Sequence, residues 1–357
     1  MPTVLESLNA ALHQALTSDP HVILLGEDLL DPYGGAFKVT RGLSSAFPDQ
    51  VMTTPISEAG IVGLATGMAL RGQRPVVEIM FGDFVTLIAD QLINHAAKFR
   101  WMYGGERPDQ AEASVPLVIR TPMGGRRGYG PTHSQTLEKL FLGVPGLRVL
   151  APAALGNPGD LLLQAILTGQ EPTLFVENKL LYLLSVQSAR TLNEFEMSIS
   201  PNPRAPLSPL GEQTGAQGAA VCPAYTLTLR DAPPPALTLA AYGYMADLAR
   251  QAVLRLAYEH EVFAELVVLT QLAPFEIEPV LASARRTGRL LAAEEGSLTL
   301  GWGAEVLARA AEALGPQLRV ARRVAARDLP VPASGPLEEA VLPGIEDLIR
   351  TAQDMLR

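Results

Sequence analysis

The sequence predicts two α/β domains, each built on a parallel sheet covered by helices on both faces and joined by an irregular segment. Three observations predict it. Short apolar runs alternate with segments of helical period from the N-terminus to about residue 184. Residues 185–236 then become rich in Pro, Gly, Gln, Ser and Ala. The alternation resumes at Thr238 and runs to the end. A chain of 357 residues suits two or three domains. The boundaries fall at 1–184, 185–236 and 237–357.

Each element follows from its pattern. Val4, Leu5, Leu8, Ala11, Leu12, Ala15 and Leu16 stand at helical spacing. His21 to Gly26 is a short apolar run ending in glycine, which predicts a buried strand. Residues 58–71 are rich in Ala, Gly and Leu and predict a helix. Pro75–Met80 predicts a strand, 84–102 a long helix, and Val115–Arg120 a strand. Leu147–Ala151 and Thr173–Glu177 predict two further strands, with a helix over 157–168 between them. The piece from Pro201 to Pro223 predicts a flexible linker or surface insertion. In the second domain, Thr238–Gly243, 265–270, 289–294 and 318–325 predict strands. Helices are expected over 245–258, 276–286, 303–314 and 344–356.

Composition excludes several classes. The net charge is -9 and no Lys/Arg block forms a basic stripe, which argues against nucleic acid as a partner. No apolar run reaches membrane-spanning length. The N-terminus shows no basic n-region or h-region, so no signal peptide is expected. Cys222 is the only cysteine, which fits a reducing cytoplasm. No Cys/His cluster suggests a metal site, and none of the phosphate-loop, dinucleotide-fingerprint or nucleophile-elbow motifs is present.

Ligands of open parallel sheets gather at the carboxyl ends of the strands. Several informative residues are expected there. Glu58 stands at a helix start behind Ser57, either as a first-turn glutamate favoured by the helix dipole, with Ser57 as cap, or as a carboxylate that shares a proton with a bound heterocycle. Phe81 and Phe84 flank Gly82-Asp83, as core aromatics or as a wall for a planar ligand. His133 follows a glycine-rich loop, as a solvated residue or as a general acid or base. Arg126 and Arg127 follow Gly124-Gly125, as solvated groups or as an anion site.

The motifs taken together go further. The segments V-I-L-L-G-E-D at 22–28, G-G-A-F-K-V-T-R-G at 34–42, T-P-I-S-E-A-G at 54–60 and D-Q-L-I-N-H-A-A-K-F at 90–99 stand in order. P-T-H-S-Q at 131–135, V-P-G-L-R-V-L-A-P at 144–152, T-G-R-L-L-A-A-E-E-G at 287–296 and D-L-P-V-P-A-S-G-P-L-E-E-A-V-L at 328–342 follow. This order resembles the beta subunit of the thiamine diphosphate-dependent, decarboxylating component of 2-oxo acid dehydrogenases. The pyruvate, branched-chain and acetoin enzymes belong to that family. The resemblance covers nearly the whole chain, except about 190–223 and a short insertion near 106–113.

The resemblance implies a doubly wound, pyrimidine-binding domain followed by a transketolase C-terminal-like α/β domain. It implies oxidative decarboxylation of a 2-oxo acid with acyl transfer to a lipoyl-bearing acyltransferase core. Two alternatives are an acetoin-cleaving or ketol-transferring relative and a non-catalytic binding paralogue. Thiamine diphosphate is the implied cofactor, shared with an alpha subunit that holds its diphosphate through magnesium by a Gly-Asp-Gly motif. This chain carries no Gly-Asp-Gly; Gly82-Asp83-Phe84 is the nearest approach. An α2β2 heterotetramer is therefore expected. Glu58 matches the glutamate that hydrogen-bonds the aminopyrimidine and favours the imino tautomer, which takes the proton from the reactive thiazolium carbon. Phe84 matches the aromatic residue packed on the pyrimidine, and Ile56 and Met80 match neighbouring pocket positions. His133 matches the histidine facing the substrate and the lipoyl group, and Glu27 an acidic position near the subunit interface. Some members bind potassium near the end of the helix before Pro172. The acidic residue expected there falls at Gly169, so no potassium is expected.

Overall fold

The computed structural model describes residues 1–103, 114–202 and 222–357. The insertion near 106–113 and most of the Pro201–Pro223 piece lie outside the described residues. The first domain contains α1 (Val4–Ser18), β1 (Val22–Gly26), α2 (Leu43–Ala46), β2 (Val51–Thr53), α3 (Glu58–Leu70), β3 (Arg74–Glu78), α4 (Ala97–Tyr103), β4 (Val118–Met123), β5 (Arg148–Leu150), α5 (Pro158–Thr168) and β6 (Thr173–Asn178). There follow β7 (Phe195–Asn202), β8 (Cys222–Leu229), β9 (Leu237–Ala241), α6 (Gly243–His260), β10 (Ala264–Leu269), β11 (Gln271–Ala273), α7 (Glu278–Thr287), β12 (Arg289–Ser297), α8 (Trp302–Leu314), β13 (Val320–Ala326), α9 (Gly335–Val341) and α10 (Ile345–Asp354).

The first sheet has the order β11-β5-β6-β4-β3-β1-β2. Its first-domain strands all run parallel. Apolar runs suit such strands because both faces are covered. Alternate residues serve opposite faces: Val76, Val118 and Phe175 enter the core under α1 and α5, while Val77, Ile119 and Leu174 enter the core on the other side. A reciprocal cap between Thr3 and Glu6 starts α1, whose buried stripe of Val4, Leu8, Leu12 and Leu16 follows from its spacing.

The second sheet, β13-β12-β9-β10-β8-β7, is parallel through β10 and then antiparallel. The two domains are continuous in their packing. One buried cluster joins Val77 and Ile119 to Val267, Leu290 and Trp302. In addition, β11 leaves the second domain and pairs antiparallel with β5 at the edge of the first sheet.

Two expectations are corrected. Part of the stretch read as linker forms β7 and β8. Its prolines hid the alternation of buried Cys222, Ala224, Leu227 and Leu229, but Pro201 and Pro223 sit opposite one another at the end of an outer pair, where a missing N–H is tolerated. The helix expected over 84–102 is broken into a 3-10 segment (Gly82–Ile88), a π segment (Gln91–Ala96) and α4. A β-carbon on Gly82 would lie 2.1 Å from the Met123 side chain, so that turn is pressed against the end of β4. Nothing in the local residues marks the π turn.

Candidate active site

The parallel strands of the first sheet end on one edge, and the loops leaving them carry the expected residues. Glu27 follows β1, Ile56 and Glu58 follow β2, Met80 and Phe84 follow β3, and His133 lies in the loop after β4.

Glu58 is the first residue of α3 and is buried. Ser57 occupies the cap position but makes no side-chain cap bond, which corrects the capping expectation. The Glu58 carboxylate has no hydrogen-bond donor among the described residues. Glu27 is buried beside it, with its Oε1 unpartnered. Burial first, and the neighbouring Glu58 second, push the Glu27 carboxyl above the usual carboxylate range. Ile56, two residues before Glu58, is 83 % exposed.

A second group on this edge is aromatic. The His133 ring lies 4.7 Å from Phe81 and 5.4 Å from Phe84, edge-on in both cases. Phe81 also meets Phe37, Phe84 and Tyr129. The structure thus brings Phe84 and His133 together and makes Phe81 the hub of the wall. Met80 is half-buried between Ile79 and Phe81 along the chain.

The loop that presents His133 is tied from beneath. Lys179, buried just past β6, donates its ammonium to the His133 carbonyl and lies 5.2 Å over both the Phe81 and Tyr129 rings. Asp83 Oδ1 accepts from the backbone N–H (3.3 Å) and Nε2 (2.9 Å) of Gln135. Burial pulls the Lys179 ammonium down to about 8. Asp83 is therefore a clamp for this loop.

The glycine-rich turn after β4 is answered by the second domain. Glu295 accepts from the Gly125 N–H (2.8 Å), Arg126 Nη1 (2.7 Å) and Asn178 Nδ2 (3.3 Å). Glu338 accepts from the Arg126 and Gly128 N–H groups. The anion expected for Arg126 is thus a carboxylate of the chain itself. Arg127 stays exposed. At Gly124 a positive φ of 97° and a β-carbon position 2.5 Å from Asn178 leave room only for glycine.

Two buried charge clusters were not singled out from the sequence. Arg120 is held by Glu177 through two 2.8 Å bonds and by Glu78 through a third, with Tyr182 donating to Glu177. At the seam between the domains, Tyr242 donates to Glu138, while Glu138 Oε2, Glu294 Oε2 and Trp302 Nε1 have no partner. Burial pushes the Glu294 carboxyl up to about 7. A signal existed in each case: a charge following an apolar run, as at Glu78, Arg120, Glu177 and Glu294.

Similarity to known proteins decides the family. Residues 1–183 match the transketolase pyrimidine-binding domain and residues 227–348 the transketolase C-terminal domain. The chain is 34% identical over 353 residues to the "Pyruvate dehydrogenase E1 component subunit beta-1, mitochondrial" of Oryza sativa subsp. japonica, covering 98% of this chain and 86% of that one. The chain belongs to the beta-subunit family of the thiamine diphosphate-dependent 2-oxo acid dehydrogenases. A 2-oxoisovalerate dehydrogenase subunit beta of Pseudomonas aeruginosa is 34% identical, over 96% of this chain and 91% of its own length. The beta subunit of an acetoin:2,6-dichlorophenolindophenol oxidoreductase of Cupriavidus necator is 33% identical, over 98% and 96%. Among solved structures, a chain described as "Split gene transketolase, inactive beta4 tetramer" aligns with a TM-score of 0.66 at 21% identity, over 100% of this chain and 99% of that one, which shows a shared fold.

Proposed function

We propose that this protein is the beta subunit of an enzyme that oxidatively decarboxylates a 2-oxo acid and transfers the acyl group to a lipoyl-bearing acyltransferase. One observation carries the reading: a buried, unpartnered Glu58 at the start of α3 shares a strand-end edge with the Phe84 and His133 wall.

The residues fit the pyrimidine end of thiamine diphosphate. Glu58, to which no described residue donates, and Glu27 Oε1, buried without a partner, leave carboxylate oxygens available to a nitrogen heterocycle. Phe84 and the neighbouring Met80 offer apolar surface for its ring, and Ile56 lies at the open rim. When bound, the cofactor supplies a nucleophilic carbon that adds to the 2-oxo carbonyl and takes up the electrons left as carbon dioxide departs. Glu58 holds a proton at the pyrimidine ring nitrogen and so sets its tautomer. Its lack of other donors leaves the carboxylate available for that bond. His133 gives or takes a proton at the acyl and lipoyl groups.

The diphosphate and magnesium belong to an alpha subunit, because this chain has no Gly-Asp-Gly motif to bind them. The exposed face of α3 supports such a partner. Gly60, Gly63, Leu64 and Gly67 are exposed there, and a β-carbon on Gly67 would meet nothing within 4 Å. Crowding within the chain therefore does not account for that glycine, whereas close approach of another backbone does.

Co-expression with an alpha subunit carrying Gly-Asp-Gly tests the reading, using a panel of pyruvate, branched-chain 2-oxo acids and acetoin. Carbon dioxide release coupled to acylation of a lipoyl domain is expected from at least one acid. Turnover of acetoin alone would move the assignment to acetoin cleavage, and no turnover with any member would overturn it.

A further inference from the structure

We propose that Lys179 is a positioning residue for the His133-dependent step, setting the imidazole against Phe84 by holding the His133 carbonyl and the faces of Phe81 and Tyr129. The inference rests on the acyl-transfer reading above. Its geometry stands on three contacts made by one ammonium. The Nζ donates to the His133 carbonyl and sits 5.2 Å over each of two rings that line the wall. Lys179 is completely buried, so it reaches neither solvent nor substrate directly. Its own backbone N–H is fixed to the Met123 carbonyl at 3.0 Å, which anchors the clamp to the end of β4.

A structural strut need not be charged. An apolar side chain of this length would fill the space without desolvating an ammonium, a costly exchange in a buried site. What the ammonium adds is direction: a charge-assisted bond to one carbonyl and attraction to two ring faces. The groups around it are of both signs. Asp83, Glu295 and Glu338 favour the cation, Arg127 opposes it, and burial outweighs them all, drawing it down to about 8. The clamp therefore weakens as pH rises through about 8, because the neutral amine loses both the charge-assisted bond and the ring attraction.

The test uses Lys179→Met and Lys179→Arg with two readouts. In the purified chain, hydrogen exchange at pH 7 should rise at least tenfold for the His133 and Gln135 amides in Lys179→Met, while β4 and β6 keep wild-type protection. Lys179→Arg should stay near wild type. Wild type itself should show the same loosening between pH 7 and pH 9, after correction for intrinsic exchange, and Lys179→Arg should not. In the assembled enzyme, Lys179→Met should lower acyl transfer to a lipoyl domain at least tenfold more than it lowers decarboxylation with an artificial electron acceptor. Unchanged exchange at 130–135, or equal loss of both activities without rescue by arginine, would overturn the proposal. Should Lys179→Met fail to fold, the pH comparison between wild type and Lys179→Arg decides alone. An inactive wild-type complex would sink the proposed function, and the exchange result would still decide the role of Lys179.

Discussion

The two walls of the site are built to different degrees of completion. The His133 wall is closed within the chain: Lys179 and Asp83 hold its loop, and Glu295 and Glu338 of the second domain lock the turn before it. The Glu58 wall is left open: no described residue donates to the Glu58 carboxylate, Glu27 Oε1 lacks a partner, and Ile56 stands 83 % exposed beside them. Within one chain, buried polar groups are normally satisfied. The contrast teaches that folding fixes the loop of one wall, while the proposed reading assigns completion of the other to a bound cofactor.

The largest effect should come from the open wall. Glu58→Gln in the assembled enzyme keeps the shape but loses the charge, and should lower decarboxylation by about 10³-fold, the span of positioned proton transfer. Steady-state turnover with the best acid checks it, and retained activity would place the proton chemistry elsewhere. On the closed wall, His133→Ala should cost lipoyl acylation about 10²-fold and cofactor affinity far less. Rapid-quench acylation separates the two, and an unchanged rate would remove His133 from the site.

Breaking the lock behind the closed wall should cost stability instead. Arg126→Ala removes the cation from buried Glu295 and leaves it only the Gly125 and Asn178 donors, and should destabilise the chain by about 2–3 kcal/mol, somewhat less than a fully buried pair because Arg126 is partly solvated. Chemical denaturation measures it; a loss under half a kilocalorie would mean that the seam relaxes. The seam carboxyl Glu294 gives a pH signature. Burial raises its folded value to about 7 from the ordinary 4.5, so the neutral form is favoured by folding. That stability is full below pH 4.5 and is lost as pH rises through 7. Glu294→Gln should flatten the decline, by on the order of 2 kcal/mol across the window, read as melting temperature from pH 4.5 to 8. The smallest effect belongs to Ile56→Ser. It should leave chain stability within about 0.5 kcal/mol while weakening assembly with the partner severalfold, read by sedimentation.

Much of this organisation was legible in the residues. The apolar runs at 21–26, 75–80 and 173–177 placed the parallel strands, and so the edge where Glu27, Glu58 and Phe84 emerge. The ordered motifs placed His133 on the same edge. What remained hidden depended on partners distant in sequence. Lys179 reads as a charge after a strand until the His133 loop folds over it. Arg126 reads as solvent-facing until Glu295 arrives from 169 residues away. The pair β7 and β8 was masked by Pro201 and Pro223, which are tolerated because they face each other at the end of the pair.

The claim that the chain makes half of a cofactor site is tested most directly by calorimetry with thiamine diphosphate and magnesium. The account predicts weak or no binding to the purified chain, tight binding once an alpha subunit is added, and loss of that tightness in Glu58→Gln. Tight, magnesium-dependent binding by the chain alone would contradict it.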